Sequence, residues 1–457
     1  MVDTSIFIIL FIGFFASVTF NGFFRNIAKV NNILIDIPDK SRKFHFRATP
    51  LTGGISIYVA TLVSALLLGG LTNIPVETNF SERGLIKDLD VYETSISRNY
   101  TVENRNYELE LNKNDVDDSI SVNLEILGDN QSIEISKLDD DSFEVTLPDG
   151  SIEIYNYQNG NVSKLSENQT LSPKLNILPS IKVGTTTLSM LICGALIIIV
   201  MIIDDLYTIR ASFRLFFQSA IAMTMVVLSD ETISNLGNLL GDGDIIMPET
   251  LSIIFTVFCT VGIMNAFNMS DGLNGICASF GLIPLIFIGF SGPMHYGTII
   301  LMGVLLGFLA YNLGWLGKKR RAFLGDSGSN LIGFAVAVLC IYYSQGYSTS
   351  GYTINPVTSL WLVAIPLLDC LGVIISRAIK GVMPFRPGRD HFHHKLLDLG
   401  FSPRQILLIF IFLSITLCSI GFILESIYVD KEYISLGLFI IFSIVFYTFT
   451  RRKISDV

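Results

Sequence analysis

About eleven apolar runs of membrane-spanning length divide the chain, near 4–24, 51–72, 184–203, 212–229, 250–267, 276–290, 296–314, 324–344, 357–379, 405–424 and 432–449. Crossing the hydrocarbon core takes roughly 20 helical residues. A backbone in lipid must satisfy its own hydrogen bonds, which a helix does within one segment. The runs therefore predict an all-α polytopic membrane protein with about 11 transmembrane helices. Composition agrees, since half of the 457 residues are hydrophobic and only 16% are charged, which no soluble domain of this length matches. The first run lacks a positive flank and a small-residue cleavage site, so it reads as a retained helix, not a signal peptide. Six cysteines (193, 259, 277, 340, 370 and 418) lie in or beside apolar runs without paired spacing and read as small buried hydrophobes.

Orientation follows from Lys and Arg. The clusters are Arg25 to Arg47, Arg210 with Arg214, Lys318 to Arg321, Arg377 to Arg404, and Arg451 to Lys453. Eleven spans put all of them on one side, which the positive-inside rule makes cytoplasmic. The N-terminus is then expected outside and the C-terminus in the cytoplasm of a bacterial inner-membrane protein.

One stretch breaks the pattern. Residues 76–182 hold 21 Asp/Glu against 9 Lys/Arg, a net −12 in a chain of net −9. The remainder is thus about +3, mildly basic, as suits a binder of phosphates. Within the stretch, Leu124/Ile126 and Ile133/Ile135 alternate about Gly128-Asp129-Asn130, and Val145/Leu147 and Ile152/Ile154 about Pro148-Asp149-Gly150. Tyr155/Tyr157 and Val162 flank Asn159-Gly160. Period-two runs joined by such turns predict a β-meander. The expected organisation is 1–75 with two helices and a first cytoplasmic loop, 76–182 as an extracytoplasmic, acidic, β-rich insert, and 183–457 with nine helices and the chemistry-bearing loops. The insert has no His, Cys or Trp. A tolerated insertion is preferred for it over a docking module.

Chemistry-bearing residues gather where runs end on the cytoplasmic side. Asp204-Asp205 closes an apolar run, and ionisable residues at membrane depth tend to be functional; an ordinary interfacial pair is the structural alternative. Asn265, Asn268, Asp271 and Asn274 recur every third residue, with Gly272 after Asp271 and Gly275 after Asn274. On a helical path they form one polar stripe, against the alternative of an interhelical amide seam. Gly325-Asp326-Ser327-Gly328 opens a run and suits a helix N-cap, yet an Asp there can also hold Mg²⁺ against a diphosphate. Arg386, Arg389, His391, His393 and His394 gather three of the chain's five histidines among cations. No Cys or fourth His lies near to complete a zinc site, so a phosphate-gripping loop fits better. In the first loop Lys43, His45 and Gly53-Gly54 add a basic, glycine-ended segment. Asp369 sits inside an apolar run and needs a polar neighbour.

In this order the motifs resemble the polyprenyl-phosphate N-acetylhexosamine-1-phosphate transferases of glycosyltransferase family 4, above all the bacterial undecaprenyl-phosphate N-acetylglucosamine branch. The resemblance covers roughly 1–75 and 183–450. It rests on Arg42-Lys43-x-His45, Asp204-Asp205, Asn265-Ala-Phe-Asn268-Met-x-Asp271-Gly, Leu324-Gly325-Asp326-Ser327-Gly328 and Pro384-Phe385-x-Pro387-x-Arg389-x-His391-x-His393-His394. Most bacterial members carry a second Asp where this chain has Asn274, whereas eukaryotic relatives have Asn.

What the resemblance implies is transfer of an N-acetylhexosamine-1-phosphate, foremost that of GlcNAc, from a UDP-sugar to undecaprenyl phosphate. UMP is released and a lipid-linked surface polysaccharide such as O-antigen is begun. Asp326, with Asn274 or Asp271, would hold Mg²⁺, with Mn²⁺ as an option. Asp204 or Asp205 would deprotonate or position the lipid phosphate, and Asp271 counts with the catalytic carboxylates. Lys43, His45, Asn265, Asn268, Arg389, His391, His393 and His394 would contact substrates. Expected partners are undecaprenyl phosphate, a UDP-N-acetylhexosamine and the bilayer, with a homodimer left open and no nucleic acid. FucNAc, QuiNAc or MurNAc-pentapeptide donors are the nearest alternatives and a polytopic transporter a remote one.

Overall fold

A computed structural model of the chain describes residues 4–36, 48–71, 185–207, 209–291, 296–346, 354–383, 388–429 and 431–451, with the strand residues between 95 and 165. Lys43, His45 and Arg386 lie outside the described residues. Two compact units emerge, Met1–Glu77 with Ile177–Val457, and Thr78–Asn176.

The first unit is helical: α1 (Thr4–Asn31), α2 (Gly53–Leu71), α3 (Thr185–Tyr207), α4 (Ala211–Ser229), α5 (Glu249–Ser270), α6 (Ile276–Ser291), α7 (Tyr296–Asn312), α8 (Gly325–Ser344), α9 (Pro356–Leu362), α10 (Ala364–Ile379), α11 (Phe392–Asp398), α12 (Pro403–Ile427) and α13 (Glu432–Arg451). Seven of these are long and apolar enough to cross a membrane, and α2, α6 and α7 are shorter apolar helices. The single run expected over 357–379 is instead two helices, α9 and α10, bent by 80°. Pro366, in the first turn of α10, has no N–H to offer the carbonyl of residue 362, so the ladder cannot run through the junction. Large apolar side chains such as Phe15, Ile199, Phe216, Phe258 and Leu408 face outward. A band of that kind belongs in lipid, where it costs nothing.

At the centre stands α8, buried along almost its whole length. Leu331, Ile332, Phe334 and Val336 pack it into the core, against α2, α3, α5 and α6. Its start is tied to the start of α2, since Gly53 N–H donates to the Phe323 carbonyl at 2.9 Å and Gly54 N–H to that of Leu324 at 3.1 Å. A short antiparallel pair, β1 (Ile35–Asp36) and β2 (Thr49–Pro50), precedes α2.

The second unit is a seven-stranded antiparallel meander in sequential order, β3 (Ser95–Val102), β4 (Arg105–Lys113), β5 (Ile120–Ile126), β6 (Ser132–Asp139), β7 (Ser142–Thr146), β8 (Ile152–Gln158) and β9 (Asn161–Leu165). In the backbone register Leu124 pairs with Ile133 and Val122 with Ile135. Strands β3 and β4 lie outside the runs that the alternation named; Tyr100 pairs with Tyr107 there.

Candidate active site

The acidic pair ends α3 with its two members turned to different tasks. Asp204, buried, accepts from Ile209 N–H at 2.7 Å and from Arg214 Nη1 on α4 at 3.2 Å. Asp205 reaches α8, where Oδ1 accepts the N–H of Asp326 at 3.0 Å and Oδ2 that of Ser327 at 3.3 Å. The start of α8 has no side-chain cap of its own. The structural alternative, in which Gly-Asp-Ser caps the helix from within, gives way to a cap from another helix. A carboxylate on two free N–H groups at a helix start is favourable through both hydrogen bond and dipole. Gly325 adopts φ +74°, and a Cβ there would stand 2.9 Å from Asp205 Oδ2. Only glycine suits that backbone and that contact at once.

Freed from capping, the Asp326 side chain accepts from Asn268 Nδ2 on α5 at 2.9 Å, and its Oδ2 lies 3.6 Å from Arg214 Nη1. Asn268 also donates to Ser329 Oγ at 3.0 Å. Arg214 thus touches two carboxylates, and sequence reasoning counted it only as an orientation charge. Its signal was available as an arginine inside the apolar run 212–229, on the helix that follows the acidic pair.

Asn265 goes elsewhere. Its Nδ2 donates to Gln218 Oε1 at 2.8 Å, and Gln218 Nε2 donates to Asn330 Oδ1 at 2.6 Å. These amides stitch α4, α5 and α8 together about one turn beyond Asn268, as the seam alternative expected for such residues.

Beyond Asn268 the helix stops, and Asp271 to Gly275 form a turn into α6, fastened by Gly275 N–H on Asn312 Oδ1 at 2.6 Å. The Asp271 carboxylate opens onto the cleft yet is ringed by protein at longer range; that desolvation, then the charges of Asp326 and Asp205, pushes it up to about 7. Asn274 sits in the same turn, half-buried.

The histidines come to this turn from α11. His393 is buried against Gly272, so closely that a Cβ on Gly272 would fall 2.1 Å from His393 Nε2. That Nε2 has no hydrogen-bond partner among the described residues. Burial, then the neighbouring His394, pushes the imidazole down to about 3. It is neutral at physiological pH. His391 is held by Asp369, whose Oδ2 lies 2.9 Å from Nδ1 while Oδ1 accepts the N–H of Phe392 at 3.0 Å. Asp369 in turn receives Arg451 Nη2 at 3.3 Å, and Arg377 fixes Asp390 through Nε at 3.0 Å and Nη2 at 2.9 Å. His394 lies beside His393, ring centroids 4.2 Å apart, and Arg389 is exposed and paired with Asp398 at 3.2 Å. The sequence had flagged Asp369 as needing a partner but not Arg451 or Arg377.

Four motifs distant in sequence thus meet at one end of the bundle: the α3 carboxylates, the turn after α5, the start of α8 and the histidine loop. The sequence model of glycosyl transferase family 4 matches residues 187–344, which hold three of them. Proteins named undecaprenyl-phosphate alpha-N-acetylglucosaminyl 1-phosphate transferase from Yersinia pestis and Escherichia coli (strain K12) are each 32% identical over 258 residues, 55% of this chain and 69% of theirs. The chain belongs to this family. A relative of the same name from Haemophilus influenzae is 35% identical over 258 residues, 71% of its own length. The family is one of phosphotransferases, and in this chain the carboxylates at the end of α3, in the turn after α5 and at the start of α8 are its clustered acidic groups.

Oxygen donors dominate the cleft. Among the described residues no three His, Cys, Asp or Glu side chains converge as a ready-made metal cage. Asp326 and Asp271 nevertheless bring hard carboxylates close enough to raise each other's charge cost, and Arg214 stands 3.6 Å from Asp326 as a countercharge. That set suits Mg²⁺, which takes one or two protein carboxylates and fills its shell with phosphate and water.

Proposed function

We propose that this enzyme transfers N-acetylglucosamine-1-phosphate from UDP-N-acetylglucosamine to undecaprenyl phosphate at the cytoplasmic face of a bacterial inner membrane. One observation carries the reading. Asp326 is held by Asn268 through its side chain and by Asp205 through its backbone, so three motifs fix one carboxylate at the mouth of a membrane bundle.

A phosphate oxygen of the lipid attacks the β-phosphorus of the donor. The bond from that phosphorus to the bridging oxygen breaks, and UMP leaves with the electron pair. A phosphate monoester has its second pKa near 6 and is largely dianionic at neutral pH, so the acceptor needs positioning more than deprotonation. The protein's task is alignment and charge neutralisation. Asp326 and Asp271, with Asn274 beside them, would hold Mg²⁺, which when bound supplies neutralisation of the diphosphate oxygens. Asp205 sets the position of Asp326, and Asp204 sets that of Arg214. Neutral His393, packed against Gly272, braces the turn that carries Asp271, while His391, oriented by Asp369, and Arg389 and His394 line the nucleotide side. Lys43 and His45 serve the lipid phosphate.

Eleven spans, with the N-terminus outside, the C-terminus inside and the β-sheet unit extracytoplasmic, complete the reading. Replacing residues 78–176 with a Gly/Ser linker should then leave transfer intact in detergent.

The test is UMP release by purified protein with undecaprenyl phosphate and Mg²⁺, comparing UDP-GlcNAc with the FucNAc and QuiNAc donors at equal concentration. A site reading the 6-hydroxyl should reject the 6-deoxy sugars by up to ~10⁴-fold. Preference for a 6-deoxy donor would change the sugar and keep the reaction; no UMP release from any donor would remove the reaction itself.

A further inference from the structure

Where α1 runs out at Asn31 and α7 at Asn312, a cavity of about 320 Å³ is lined by Lys29, Ala48, Thr49, Lys318, Lys319 and Arg321. It shares no residue with the carboxylate cleft. We propose that this basic mouth seats the phosphate headgroup of an anionic membrane phospholipid.

The cations are gathered by structure, not merely by sequence. Arg25 Nη2 and Lys29 Nζ both point to the Lys319 carbonyl, at 3.1 and 3.4 Å, which docks the Lys318–Arg320 turn onto the end of α1. Among the described residues Lys318, Lys319, Arg320 and Arg321 make no ion pair. Asp36 lies across the strand pair from Thr49 but is not part of the lining. Arg321 Nη2 donates to the Leu313 carbonyl at 3.4 Å, and its buried Nε has no hydrogen-bond partner among the described residues. The four consecutive cations Lys318 to Arg321 repel one another, and an anion that enters beside them relieves that repulsion. Phosphate is the acceptor chemistry that Lys and Arg share best.

The surroundings decide for a lipid over free phosphate. Trp315 and Val30, at 70% and 83% exposure, and Leu316 stand on the same segments as the cations. An exposed indole and aliphatic side chains beside lysines form the mixed rim found at the headgroup level of a bilayer. A basic pocket between helix ends at that level is where lipid headgroups bind. A soluble phosphate would have no use for the apolar part.

The experiment uses the full-length protein in phosphatidylcholine discs with and without phosphatidylglycerol, reading the lipid retained by native mass spectrometry. The protein should retain phosphatidylglycerol preferentially. Lys318→Gln with Lys319→Gln, and the paired Glu reversals, should lower that retention at least about tenfold. Arg404→Glu, a charge change on exposed α12, should not. Inorganic phosphate should leave the lipid bound. Undiminished retention in both double variants, equal loss in Arg404→Glu, or displacement by inorganic phosphate alone would each overturn the proposal. Should the Glu pair misfold on size exclusion, the Gln pair decides. Lipid retention is read without turnover, so this result stands apart from the transferase reading.

Discussion

The Asp205 carboxylate caps α8 at the backbone N–H groups of Asp326 and Ser327, 3.0 and 3.3 Å away, across 121 residues of sequence. A helix whose first turn carries a functional Asp cannot also spend that side chain on its own N-terminus. Lending a carboxylate from α3 frees Asp326 to face the cleft and Asn268. It also makes the position of Asp326 depend on α3, and so links two motifs mechanically.

Asp205→Asn keeps an acceptor oxygen but loses the charge facing the helix start. It should lower kcat by about tenfold to a hundredfold with little change in KM, since the loss falls on the reacting geometry. Asp205→Ala should lose more activity and about 1 kcal/mol of stability for the missing cap. UMP release and thermal unfolding in detergent measure the two effects. An Asp205→Ala enzyme of normal activity would end the capping role.

Much of this was legible beforehand, for physical reasons. Apolar runs and one-sided basic loops announce membrane helices because lipid leaves the backbone few options. Asp204, Asp271 and Asp326 stood out because charge at membrane depth is costly and rare. What escaped was pairing. Nothing local distinguishes Asp205 as a cap from Asp204 as the partner of Arg214, because both roles depend on which helix packs opposite. Asn265 and Asn268 share a spacing, yet only Asn268 reaches Asp326, since Gln218 intercepts Asn265. The break at Val363 was hidden because both arms of the bent pair are apolar.

Arg214 sits 3.2 Å from Asp204 and 3.6 Å from Asp326. Arg214→Gln leaves Asp204 buried without its countercharge, which should destabilise the protein on the order of 3 kcal/mol. Arg214→Lys keeps the charge without the planar fork and should fall between. Thermal unfolding midpoints of the three proteins decide it. A Gln variant as stable as the parent would mean the pair is dispensable.

Gly272 has no room for a methyl group because His393 Nε2 occupies its place. Gly272→Ala should therefore displace His393 and cost at least ~100-fold in kcat/KM, since a displacement of about 1 Å at a reacting site has that effect. In a His393→Ala background the same change should cost little further, because its target is gone. The four-enzyme cycle reads this coupling. Full additivity would separate the two residues.

The neutral His393 makes acid stability testable. Its folded value is pushed down to about 3 from 6.5. Above pH 6.5 neither state holds the proton, and the full stability is present. Below it the unfolded chain binds a proton that the fold refuses, so stability falls as pH drops toward 3. Between pH 7 and 5 the parent should lose roughly 2 kcal/mol more than His393→Asn. Denaturant midpoints at the two pH values supply the comparison, and parallel losses would place the acid sensitivity in other groups.

Arg451, in the last turn of α13, binds the Asp369 carboxylate and carbonyl at 3.3 and 3.1 Å and also donates to the Asp390 carbonyl. Asp369 in turn holds His391. Among the described residues its hydrogen bonds go to Asp369 and Asp390, so it acts by fixing the loop that presents the histidines. Arg451→Ala would leave Asp369 nearly buried and short of a cation, loosening both His391 and the loop at Asp390. The expected result is a kcat/KM reduced about tenfold, carried mainly by KM for the sugar nucleotide if the loop grips the donor. Arg451→Lys should recover part of it, because the charge survives without the second donor that reaches the Asp390 carbonyl. In a His391→Ala enzyme the Arg451→Ala change should add little, since the orientation it protects no longer matters. An effect that adds in full there would show that Arg451 works through Asp390 and the rest of the loop instead of through the Asp369–His391 pair.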